Sequence, residues 1–171
     1  FVIAEDGGRK THIVGPLDAE KALMTQDMEA GNVSTDIEGG DNAKQNTIQA
    51  IQPSILTHKD GRLQILCRTR NGKIATAWSS DKGETWSKLT LTDLPNNNSG
   101  TDAVTLLDGR QLLIYNAVAT PVGAKKGIRT PLNLALSEDG IHWKMIMTLE
   151  NSPVSQYSYP SVIQGKDGRI H

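Results

Sequence analysis

Cysteine is almost absent from this sequence, aromatic residues are few, and no apolar run approaches the length of a membrane-spanning helix. A single cysteine, Cys67, excludes an internal disulfide framework and any multi-cysteine metal site. Its place in the apolar run "LQILC" predicts a buried, inert thiol. The apolar runs fall far short of the ~20 residues of a helical span, so membrane insertion is not expected, and no signal peptide is visible. An excess of either charge is lacking too: 18 Lys and Arg stand against 19 Asp and Glu. The basic residues are scattered rather than striped, which argues against a nucleic-acid partner. His12, His58, His142 and His171 show no metal-ligand spacing, so no metal is expected, and His58 and His142 read as solvated turn residues. "EDGG" and "IEGG" lack the strand–helix context of a phosphate loop, and no cofactor is implied. What is left is a soluble globular chain long enough for one domain with a core.

Turns, by contrast, recur. "PSILTHKDGRLQIL" (53–66), "TDAVTLLDGRQLLIYN" (101–116) and "YPSVIQGKDGRIH" (159–171) each carry an Asp-Gly turn seven residues after a Pro or its Thr101 substitute. Asp-Gly between two apolar runs predicts a two-stranded hairpin. After the first two hairpins comes a third run, "KIATAWSS" or "LNLALS", then a turn ending in Trp, then a fourth run, "WSKLTLT" or "WKMIMTL". Four antiparallel strands in a repeat of about 50 residues is the pattern of a β-propeller blade. An antiparallel sandwich with similar hairpins is the competing architecture, and the recurrence of two turn types in one order weighs against it. The predicted organisation is a partial blade and long connecting loop over 1–50, blades over 51–100 and 101–150, and the start of a further blade over 151–171. Only "DAEKALMTQDME" (18–29) suggests helix. Such a chain cannot close a ring, so a section of a longer protein, or an assembly completing its sheets with other blades or copies, is expected.

The Trp turns are read as structural. In "SSDKGETW" (79–86), Asp81 accepts N–H groups of its own loop, Gly83 permits positive φ, and Trp86 folds back into the apolar space. "SEDGIHW" (137–143) repeats the pattern one residue shorter. These turns share one face of the blades with the Asp-Gly turns, which leaves Arg62, Arg110 and Arg169 as solvated turn charges.

The opposite face gathers a different set by spacing alone. Gln52 precedes the first-strand Pro53, Asp102 opens the next first strand after "NNNSG", and Tyr157 and Tyr159 precede Pro160. Arg68 and Arg70 end a second strand on one face, Asn116 ends the equivalent strand, and Arg129 follows the long loop 117–128. Guanidinium groups, amides, an acid and phenols on one rim suit a carboxylated sugar. Asp102 also suits a loop-capping role, and both tyrosines also suit packing against a neighbouring blade.

"SSDKGETW" resembles the Asp-box, or BNR repeat, of sialidases. Together with "IQPSILTHKDGRLQILCRTR", "LPNNNSGTDAVTLLDGRQLLIYN", "RTPLNLALSEDG" and "YSYPSVIQGKDGRIH", it resembles the BNR-repeat family of sialidase-like proteins, common among bacterial carbohydrate-degrading proteins. The resemblance runs from Ile51 to the end. It implies an all-β, six-bladed propeller of which this chain supplies two to three blades, secreted or periplasmic, acting as a glycoside hydrolase on terminal acidic sugars. It further implies Arg68 and Arg129 as carboxylate clamps, Asp102 as acid/base, and Tyr159 or Tyr157 as nucleophile or substrate contact, with Glu150 a candidate base for the tyrosine. Arg70, Gln52 and Asn116 complete the expected substrate contacts. Another glycan-cleaving activity (on a neutral sugar, or lyase chemistry on a uronate) or a non-catalytic carbohydrate- or protein-binding propeller would use the same scaffold.

Overall fold

The computed structural model describes residues 2–5, 10–13 and 48–171. Strands β1 (Val2–Glu5) and β2 (Lys10–Ile13) form an antiparallel pair in the register Val2 to Ile13. The helical expectation over 18–29 lies outside the described residues, which contain no helix.

Two four-stranded antiparallel meanders carry the rest. The first runs β3 (Ala50–Thr57), β4 (Leu63–Thr69), β5 (Lys73–Ser79) and β6 (Thr90–Pro95), each strand beside its sequence neighbour. The second repeats the order with β7 (Asp102–Thr105), β8 (Gln111–Tyr115), β9 (Leu132–Ser137) and β10 (Trp143–Glu150). The Asp-Gly turn explains the first hairpin: Gly61 takes φ 84°, its N–H donates to His58 O, and Asp60 Oδ1 accepts the Arg62 N–H. Asp108 and Gly109 repeat this geometry. A third turn at Gly168 joins the facing segments around Gln164 and Ile170, which form an isolated antiparallel bridge.

The Trp turns follow the predicted chemistry. Asp81 Oδ1 accepts the Ser79 hydroxyl and the Thr85 N–H, while Trp86 Nε1 donates to Gly83 O at 3.0 Å. In the shorter copy, Trp143 Nε1 donates to Gly140 O, also at 3.0 Å, and Asp139 Oδ1 accepts two loop N–H groups. Losing one residue therefore preserves the indole bond.

Burial explains why β4 and β8 read as continuous apolar runs rather than alternating ones. Ile65 and Cys67 join Ala75, Ala77 and Trp86 on one face of the first sheet. Leu56, Leu66 and Ile74 point the other way and interdigitate with Ala103, Leu113, Tyr115 and Ala135 of the second sheet. The second sheet's far face buries Leu106, Leu112 and Ile114 with Val162 of the third repeat. An inner strand with both faces covered has no polar side to show. β10, outermost, is exposed along nearly its whole length.

Hydrogen bonds tie one sheet to the next at both ends. Towards the turns, Gln64 Nε2 donates to Gly140 O at 2.9 Å, and the Thr57 N–H donates to Thr105 Oγ1 at 2.9 Å. This contact overturns one expectation. His58 is buried, its Nε2 3.0 Å from Gln64 Oε1 and its ring 4.6 Å from that of Trp78. The reason is the neighbouring sheet's turn: a Cβ on Gly140 would lie 2.7 Å from His58 Cε1. His142 does stay exposed, with Nδ1 2.6 Å from Asp139 Oδ2. Arg62 and Arg110 pair with their own turn aspartates on the surface, and the Arg62 guanidinium also covers the Trp78 ring at 4.6 Å.

Candidate functional site

The opposite end of the sheets is assembled from loops, and an asparagine cluster holds them. Asn96 and Asn97 are fully buried. Asn96 Oδ1 accepts the N–H groups of Thr69 and Asn98, and its carbonyl accepts the Thr120 N–H. The Asn97 side chain donates to Ile128 O, and the Gly127 N–H returns to Asn97 O at 3.0 Å. Primary amides offer a donor and an acceptor at once, so they can satisfy irregular backbone that no sheet reaches. The result is that "NNNSG" pins both ends of the loop that delivers Arg129. The run of three asparagines is the sequence signal for this cluster, but composition alone reads it only as a loop.

Arg129 and Arg68 then meet neighbouring residues of the third repeat. Arg129 Nη1 donates to Ser158 Oγ at 3.1 Å, and Arg68 Nη1 donates to Tyr159 Oη at 3.1 Å. The Arg129 carbonyl accepts the Tyr157 N–H at 2.7 Å, locking the loop to the same segment. Neither guanidinium has an acidic partner among the described residues, whereas Arg62, Arg110 and Arg169 all do. The Gln52 side chain, then the bond and charge of Arg68 and the charge of Arg129, hold the Tyr159 phenol below its usual range. Tyr159 is largely exposed, so a ligand can reach it. Both Gln52 and Tyr159 adopt positive φ, 55° and 56°, unusual for residues with side chains.

The other predicted residues are placed as follows. Asp102 is engaged on both oxygens: Oδ1 accepts the Ser54 hydroxyl and the Ala103 N–H, and Oδ2 accepts the Val162 N–H at 2.8 Å. It thus joins the first strands of two sheets to the third repeat. Asn116 is buried, donating through Nδ2 to Pro131 O at 2.9 Å, two residues beyond Arg129. The Arg70 side chain is exposed and, among the described residues, does not join the cluster; its backbone N–H donates to Gln49 O. Glu150 sits at the exposed end of β10. Arg68 Nε, Arg129 Nε, Ser99 Oγ, Thr101 Oγ1 and Asn116 Oδ1 are buried without a hydrogen-bond partner, and all five belong to this end of the sheets. Unsatisfied polar atoms are rare in interiors, so each of these can take a water or another polar group.

Among known proteins, the family model described as BNR repeat-like domain matches residues 11–171. The anhydrosialidase of Macrobdella decora is 26% identical over 131 residues, covering 70% of this chain and 17% of that protein. Among solved structures, the NanB sialidase of Streptococcus pneumoniae superposes with a TM-score of 0.52 at 22% identity, over 82% of this chain and 23% of its own. The intramolecular trans-sialidase of Ruminococcus gnavus gives a TM-score of 0.50 at 25% identity, over 78% of this chain and 29% of its own. The chain thus spans under a third of the length of each of these relatives.

Proposed function

The chain belongs to the BNR repeat-like domain family, and on that premise we propose that its loop end is part of a sialidase-type site for a terminal sugar bearing a carboxylate. One observation carries the reading. Arg68 and Arg129 bond adjacent residues, Tyr159 and Ser158, and neither has an acidic partner among the described residues. Two guanidinium groups gathered without a counter-charge among the described residues favour an incoming anion, and their planar forks match a carboxylate.

Tyr159 takes the role of nucleophile. A phenol whose ionisation is eased attacks an anomeric carbon more readily, and while neutral it does not repel the substrate's carboxylate. Tyr157 remains a substrate contact, Gln52 orients the phenol, and the exposed Arg70 serves parts of the glycan beyond the terminal sugar. Asn116 acts indirectly, through the Pro131 carbonyl beside the Arg129 loop. Asp102 is the acid/base candidate, and proton donation by it would require one of its contacts to Ser54, Ala103 or Val162 to open. The remainder of the site would come from blades beyond this chain.

The test is turnover of a fluorogenic sialoside by the intact protein and by Arg129→Ala, with the products identified. Turnover that falls about 10–100-fold in the variant, the cost of losing a charge-assisted contact, supports the reading. Undiminished handling of the acidic sugar by Arg129→Ala sinks it. Because one relative is an intramolecular trans-sialidase, the product decides between attack by water and attack by the sugar's own hydroxyl. Binding without turnover would leave a carbohydrate-binding propeller, and turnover of neutral sugars alone a different glycosidase.

A further inference from the structure

We propose that Gly100 is a positioning residue for Tyr159: it is kept without a side chain so that the tyrosine of one blade can lie across the next and reach the one beyond. The proposal rests on the reading of Tyr159 as the reactive phenol.

Gln52, Gly100 and Tyr159 occupy one position of the repeat. Each stands eight residues before its turn aspartate, Asp60, Asp108 or Asp167, immediately before the Pro or Thr that leads into the first strand. Asp102 shows that the three copies lie side by side in space, because its carboxylate accepts from Ser54 of the first and from the Val162 N–H of the third. Three successive blades therefore present the same position to one point. Gln52 and Tyr159 both hold positive φ there. Gly100 does not, so it is not glycine for the sake of its backbone conformation.

Space explains it instead. A Cβ on Gly100 would lie 2.8 Å from Tyr159 Cδ1 and 3.1 Å from Cε1. The ring of Tyr159 rests where that methyl would be, with the Arg68 guanidinium carbon 5.7 Å from the ring centroid. From this seat the phenol oxygen meets Arg68 Nη1 of the first blade at 3.1 Å, and the Gln52 side chain of the same blade eases its ionisation. The chain on either side is held, because the Ser158 hydroxyl before it and the Val162 N–H after it are both bound, so the exposed ring and not the backbone must give way. A side chain at position 100 therefore pushes the phenol away from Arg68. The charged groups that bear on the phenol are Arg68 and Arg129, and displacement weakens the influence of Arg68 first.

The test reads the phenol directly. Tyrosinate absorbance is titrated for the chain and for Tyr159→Phe, and the difference isolates Tyr159; Tyr115, whose ionisation burial pushes up, follows later. Gly100→Ala is expected to move the Tyr159 midpoint up, and Arg68→Gln added to it is expected to move it no further. If the protein turns over a sialoside, kcat of Gly100→Ala falls about a hundredfold with KM little changed, as for a misplaced reacting group. A folded Gly100→Ala with an unshifted midpoint overturns the proposal. Should Gly100→Ala fail to fold, Arg68→Gln alone adds no bulk and decides: a raised midpoint upholds the reach across blades, and an unchanged one refutes it. A perturbed phenol in a protein inert towards sialosides defeats the functional reading alone, whereas turnover with an unshifted Gly100→Ala midpoint defeats only this proposal.

Discussion

Cys67 shows how far position alone sets chemistry at the scale of one residue. Burial pushes its thiol up to about 12, so at neutral pH it carries no reactive thiolate. A disulfide-exchange reagent should leave the folded protein unmodified and titrate one thiol after denaturation; rapid labelling of the native chain would contradict the described core. Asp81 lies at the other extreme. Bonds from Thr85 and Ser79 lower its carboxyl from 3.8 to about 2. A depressed carboxyl stabilises the fold fully above its unfolded value and loses that contribution as pH falls through the folded one. Asp81→Asn should therefore lower the melting temperature at neutral pH, with the gap to the parent closing between about pH 4 and pH 2. A gap independent of pH would assign the loss to turn geometry rather than to charge.

At the scale of the element, the two Trp turns make the same indole bond but do not bury the same area. Trp86 closes the apolar cluster on its sheet, whereas Trp143 is only half-buried at the start of β10. Trp86→Ala should cost about 3–5 kcal/mol of unfolding free energy, the range for losing a buried aromatic. Trp143→Ala should cost clearly less in this chain. Denaturant unfolding of both variants checks the order, and equal losses would mean that the turn bond, not burial, sets the value.

Across the whole molecule, the sheets are joined by a few polar stitches around an apolar seam. Asp102 reaches three repeats, so its loss should be felt at a distance. Asp102→Ala is expected to speed amide exchange at Val162 markedly, since that N–H donates to the removed carboxylate. The amides of β4, paired on both sides within their own sheet, should exchange as before. Uniform acceleration everywhere would show that Asp102 supports global stability instead of tethering the third repeat.

The sequence by itself determined the hairpins, the Trp turns and the all-β architecture, because each rests on local chemistry. Asp-Gly selects a turn within four residues, and the indole bond closes within its own loop. It also named Arg68, Arg129, Tyr159 and Gln52, which the structure brings together, since the repeat shows which strand ends share a face. Only the tertiary structure decided which side chains of that face meet. It buried Asn116, left Arg70 outside the cluster, bound both oxygens of Asp102 and enclosed His58 against Gly140. Those outcomes depend on how closely and at what angle one sheet packs on the next. The summed contacts of Leu56, Leu66, Leu113 and their neighbours fix that spacing, and no local pattern encodes it. The same spacing lets Tyr159 cross Gly100 to Arg68, a path that spans three repeats and 91 residues of chain.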